Sequence, residues 1–111
     1  MAADEVSVIF DGPARAIRCG ARIREAAERM GLRIGVGLHT GECRLVGDEP
    51  RGVAEEMAGR MAAGAEPGEV LVSRTVVDLV AGSGLRFTQR DVEGLHDLPC
   101  QWPVFAVERD A

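Results

Sequence analysis

The sequence predicts a mixed α/β domain, an α/β or α+β sandwich of strands and helices. Short β-branched runs alternate with segments of helical period, and two strand-like segments close the chain. The length of 111 residues fits one domain with a thin core, and no repeat, linker or low-complexity tract divides residues 1–111.

The elements follow in order. Val6 to Phe10 is a β-branched run and reads as a strand. Asp11-Gly12-Pro13 stops it, and Pro13 suits a first helical turn, where a missing N–H costs nothing. The helix runs to about Gly31, which closes it as a C′ glycine. Ala16, Cys19, Gly20, Ile23, Ala27 and Met30 recur at three and four and predict its buried stripe. Arg15, Arg18, Arg22, Arg29 and Glu25 lie mostly off that stripe, on a solvated face.

Leu32 to Thr40 is the next strand, and Cys43 to Val46 a short one after the Gly41-Glu42 turn. Gly47-Asp48-Glu49-Pro50 reads as a loop. A second helix spans about Gly52 to Gly64, with Val53, Met57, Ala58, Met61 and Ala65 inward, and Pro67-Gly68 breaks it. Glu69 to Ser73 is a strand and Arg74 to Val80 a short helix. Leu85 to Val92 and Trp102 to Val107 are the closing strands.

Composition narrows the function. The net charge of -5 argues against a nucleic-acid surface, which wants a basic patch. All 13 basic residues are arginine, so a mechanism that needs lysine cannot be run by this chain alone. Cys19, Cys43 and Cys100 form no C-x-x-C pair, which fits free thiols in a reducing cytoplasm. No stretch has the length of a membrane span, and the first residues lack the pattern of a signal peptide.

Local spacing offers three sites to weigh. Glu56 and Arg60 are four apart on one helix, in the favourable order for an ion pair. His39 and Cys43 are also four apart, but a turn separates them and no further ligands cluster, so His39 reads as structural. Gly35 and Gly37 precede no helix directly. They read as glycines that let a neighbouring element approach the strand.

Three segments, in this order, resemble class III adenylate and guanylate cyclases. Arg33 to Gly41 (RIGVGLHTG) is similar to the family's R-I-G-I-H-T-G strand and turn. Ala58-Gly59-Arg60 followed by Pro67 to Ser73 is similar to A-A-R-L…P-G-E-I-L-I-S. Leu95 to Pro99 with Trp102 to Val107 is similar to the family's L-K-G-V-P…V-F-x-V end, and Phe10 to Cys19 looks like its bacterial branch. The resemblance implies a ferredoxin-like cyclase fold with about three helices. It also implies that the chain corresponds to the C-terminal part of that fold and is truncated at its N-terminal side.

The family's reaction is metal-assisted attack of a ribose hydroxyl on the α-phosphate of a nucleoside triphosphate, with Mg²⁺ or Mn²⁺ held by two carboxylates. Carried over position by position, Arg60 matches the transition-state arginine, and Glu56 stands where the family has a partner asparagine. Glu49 falls at the base-reading aspartate, and His96 replaces the lysine that holds the terminal phosphates. Asp4 falls at the second metal aspartate, where it is either a metal ligand or part of a solvated acidic tail. The strand with the first metal aspartate and the base-reading lysine has no counterpart.

These departures imply a degenerate cyclase domain, inactive alone, that serves as a binding or dimerisation module in cyclic-nucleotide signalling. The alternative is an adenylate cyclase, making cyclic AMP and pyrophosphate once a complementary cyclase half completes the site. A homodimer or strand-swapped dimer is expected, because unpaired sheet edges invite pairing. ATP or GTP is the ligand the resemblance implies. A cytoplasmic setting is expected, with neither a nucleic acid nor a membrane as partner.

Overall fold

The computed structural model describes residues 10, 12–41, 44–92 and 103–109. The strand expected at Val6 to Phe10, Phe10 itself excepted, lies outside these residues, as do Cys43, Cys100 and Trp102.

Helix α1 spans Pro13–Arg29, with Pro13 in its first turn and Gly12 at the N-cap. Its end is a Schellman turn. Gly31 has φ +80°, and its N–H donates to Glu28 O at 3.0 Å while Leu32 N–H donates to Ala27 O at 2.8 Å. The buried stripe differs from the expected one. Ile17, Gly20 and Arg24 face inward, while Ile23 and Met30 are exposed. The alanine-rich helix offers little contrast between neighbouring faces, and an arginine inside the buried stripe hides it from an apolar pattern. Arg24 is only 5% exposed, and its Nε has no hydrogen-bond partner.

Strand β1 covers Val36–Leu38, the centre of the expected Leu32 to Thr40 run. Strands β2 (Arg44–Val46) and β3 (Glu49–Arg51) form a separate antiparallel hairpin. The loop expected at residues 47–50 is therefore shorter: only Gly47-Asp48 turns, and Glu49 and Pro50 belong to a strand. Gly47 has φ +65° and no described non-glycine residue has positive φ, which fits a two-residue type II′ turn. Val46 pairs with Glu49 next to the turn, so Pro50, opposite Leu45, falls at the pair that exchanges no hydrogen bonds.

Helix α2 spans Val53–Gly64 and buries Ala54, Met57 and Met61. Val53, expected inward, is exposed, and Ala54 takes its place. Strand β4 (Val70–Ser73) is buried throughout, and helix α3 (Arg74–Leu79) follows it directly. Strands β5 (Phe87–Arg90) and β6 (Val104–Val107) are the expected closing pair.

The main sheet has the order β1-β4-β6-β5. β1 runs parallel to β4, with α2 as the crossover, and the other pairs are antiparallel. Side chains alternate between two cores. Met57, Met61, Leu71, Val92 and Val104 pack on the α2 face. Ile17, Val72, Val76 and Val80 pack on the α1 and α3 face, flanked by Phe87 and Phe105. The result is a mixed α+β domain with helices on both sides of one sheet. No described helix is long and apolar enough to cross a membrane.

Gly37 of β1 and Gly35 just before it set the depth of α2. A Cβ on Gly37 would collide with Ala58 O and would stand 2.5 Å from Ala62 N. A Cβ on Gly35 would stand 2.8 Å from Ala62 O. On the other sheet face, Gly20 of α1 lies over Val36 and Leu38. Strand β1 thus admits a helix backbone on each side, as expected for Gly35 and Gly37.

Candidate functional site

Of the five candidate site residues, the structure brings two together. Arg60 and Glu56 lie one turn apart on the outer face of α2, and Arg60 Nη2 donates to Glu56 Oε1 at 3.3 Å. With Glu55, Gly59 and Ala63 they line a shallow, open depression of about 310 Å³. Every lining residue belongs to α2, so the depression is a helix face rather than an enclosed pocket.

Glu56 has a local reason to be acidic. Glu55 and Glu56 occupy the first turn of α2, where a carboxylate complements the positive end of the helix. The same carboxylates would repel a triphosphate approaching Arg60. As an exposed i,i+4 pair, Glu56–Arg60 contributes only about 0.3–0.5 kcal/mol, so its importance is to direct the guanidinium rather than to stabilise the fold.

Glu49 lies in β3, which leads through Gly52 into α2. Asp4 and His96 lie outside the described residues. Among the described residues no group of three or more His, Cys, Asp and Glu side chains is placed to hold a metal.

A second polar constellation was not legible from spacing, because its members are 34 residues apart. His39, at the end of β1, places Nδ1 2.6 Å from Ser73 Oγ. Ser73 is fully buried and also accepts from Val76 N–H at 3.4 Å, capping α3. With the imidazole proton on Nε2, the Ser73 hydroxyl donates to Nδ1 and keeps its oxygen for the cap. Buried at the root of a helix, Ser73 is a joint between β1, β4 and α3, which agrees with a structural role for His39.

Burial lowers the pKa of His39 from its ordinary 6.5. The unfolded chain therefore takes up the proton first as pH falls. Stability is full above about pH 6.5, falls as pH drops below it, and levels off below the folded pKa. Thermal melts at about pH 7.5 and 5.5 should show the loss, and His39→Gln should shrink the difference between them. Equal pH dependence in both proteins would show that another group carries it.

Two ion pairs brace the sheet margins. Arg90 grips Glu69 with two nitrogens, one at 3.0 Å, and holds that carboxyl below its ordinary 4.5. Arg109 donates to Glu28 Oε2 at 2.7 Å and to Gly68 O at 3.1 Å, joining the end of β6, the end of α1 and the turn before β4. Its guanidinium likewise holds Glu28 low.

The chain matches no protein-family model and no curated protein. It is similar to a solved structure, the crystal structure of an adenylate/guanylate cyclase/hydrolase from Silicibacter pomeroyi. The TM-score is 0.76 and the identity 23%, over 92% of this chain and 66% of that one. This likeness shows the fold, and the chain spans about two thirds of that structure's length.

Proposed function

We propose that this domain, with its adenylate/guanylate cyclase fold, is catalytically impaired on its own and acts as a binding or dimerisation module in cyclic-nucleotide signalling. One observation carries the reading: the arginine matching the transition-state position, Arg60, is engaged by Glu56 at 3.3 Å. A triphosphate would have to displace that carboxylate and remain beside it. The His96 and Asp4 positions add to this, since the sequence offers a weak phosphate donor at the first and a lone carboxylate at the second.

The dimerisation part rests on the β2–β3 hairpin. Leu45 and Val46 are neighbours in one strand, so they point to opposite sides of the ribbon, yet both are exposed, as is Val53 beyond it. An isolated two-stranded ribbon is marginal in water, and a second copy packed on these residues would support it.

The second reading is an adenylate cyclase completed by a complementary chain. It is favoured by the retention of Arg60 and by the place of Glu49 in β3, the strand that leads into α2. In that reading Arg60 steadies the transferring phosphoryl group, Glu49 accepts from the base and His96 donates to the terminal phosphates. Mg²⁺ or Mn²⁺, held through Asp4 and carboxylates of the partner, supplies Lewis-acid chemistry.

Incubation with Mn²⁺ and ATP or GTP, with and without a complementary cyclase half, separates the readings. The protein alone should release no cyclic nucleotide, and sedimentation at high micromolar concentration should show a dimer. Cyclic AMP production that Arg60→Ala abolishes would overturn the first reading if the protein alone makes it, and would establish the second if it appears only once a complementary cyclase half is added. A strictly monomeric species would remove the dimerisation role.

A further inference from the structure

We infer that the outer face and C-terminal tip of α1 form a docking surface for an anionic lipid bilayer. This surface lies on the sheet face opposite α2, and the inference does not depend on the role of Glu56 and Arg60.

The first observation is charge without a counterpart. Arg15, Arg18, Arg22 and Arg29 are all exposed, at spacings of three, four and seven, and therefore share one side of the helix. They form a ridge about 21 Å long. Arg33 continues it beyond the helix end. Elsewhere Arg60, Arg74, Arg86, Arg90 and Arg109 each pair with a carboxylate. Among the described residues, none of the five ridge arginines forms an ion pair. Glu25 is the one acid exposed along the ridge among the described residues, and the nearby Glu28 is already held by Arg109.

The second observation is apolar surface at the end of that ridge. Met30 is 75% exposed and Leu32 55%. Met30 and Leu32 flank Gly31 in the Schellman turn, so residues 29–33 read arginine, methionine, glycine, leucine, arginine. The turn is held by backbone hydrogen bonds, which fixes both side chains outward. Large apolar side chains rimmed by cations mark an interaction surface.

The ridge is the convex side of a helix, which suits a flat partner. Guanidinium groups meet lipid phosphates and carboxylates while Met30 and Leu32 enter the headgroup boundary. The chain's net charge of -5 does not oppose this, because acids more than about 8 Å from the contact are screened at physiological salt. The expectation of no membrane partner follows from the lack of a spanning segment. A surface contact needs no span, so the inference departs from that expectation without any spanning segment.

Co-sedimentation with vesicles tests the inference. The probes are phosphatidylcholine alone and phosphatidylcholine with about 30% phosphatidylserine. The protein should pellet only with the anionic vesicles and should be released by about 0.5 M salt. Arg29→Glu with Arg33→Glu should lower the partition coefficient at least about tenfold. Met30→Ser with Leu32→Ser should lower it several-fold at unchanged charge. All four side chains are exposed, and an unchanged circular dichroism melt confirms that both variants fold. Equal pelleting with neutral vesicles, no pelleting with either, or undiminished binding by either double variant would overturn the inference. Binding to a polyglutamate peptide without binding to vesicles would overturn it in favour of an acidic protein.

Discussion

Gly37→Ala is expected to destabilise the domain by about 3 kcal/mol or more, beyond the usual cost of one added methyl group. The new Cβ meets Ala58 O, Ala62 N at 2.5 Å and Met61 Cβ at 2.9 Å. The first two are backbone atoms of α2 and cannot rotate away. Relief requires the helix to lift from β1, which would open the Met57–Met61–Leu71 core. Gly20→Ala is the control. Its Cβ meets only side-chain ends, Val36 Cγ1 at 3.2 Å and Leu38 Cδ1 at 3.7 Å, and alanine favours a helix. It should change stability by less than about 1 kcal/mol. Urea unfolding of the two variants checks the contrast, and equal destabilisation would show that the approach of α2 is not set by Gly37.

Leu71→Ala should cost about 4 kcal/mol, near the upper end for a leucine truncation. Leu71 is fully buried at the centre of β4. Its register partners are Gly37 on one side and Ala106 on the other. Neither carries atoms that can swing into the vacated space, and α2 is already seated against β1. The cavity therefore stays open, and its cost follows its volume. For a domain of this size the loss lowers the melting temperature by more than about 15 °C. A measured cost under about 2 kcal/mol would mean that α2 settles into the gap.

What was legible in the sequence depended on local chemistry. Pro13, Gly31 and Pro67-Gly68 mark helix ends, and α1 and α2 end close to them. Gly35 and Gly37, read as room for a neighbour, meet α2. The Glu56–Arg60 pair follows from a four-residue spacing that a helix turns into proximity. Pro50 misled the reading of its segment: proline signals a loop, yet at a pair that exchanges no hydrogen bonds a strand accepts it. Arg24 misled the reading of α1, because a buried arginine is invisible to a search for apolar period. The His39–Ser73 contact depends on β1 and β4 lying side by side, and no local pattern announces a pairing over that separation.

The sheet order has a consequence for the birth of the protein. β6 lies between β4 and β5, although it follows both in the chain. β4 can meet β1 earlier, but its other edge stays open, and β5 emerges with no strand beside it. Both wait for residues 104–107. The nascent chain thus carries half of this sheet unpaired until those residues emerge, exposed to proteases and to other sticky chains. A frameshift or stop near position 100 would leave β4 and β5 with nothing to join them.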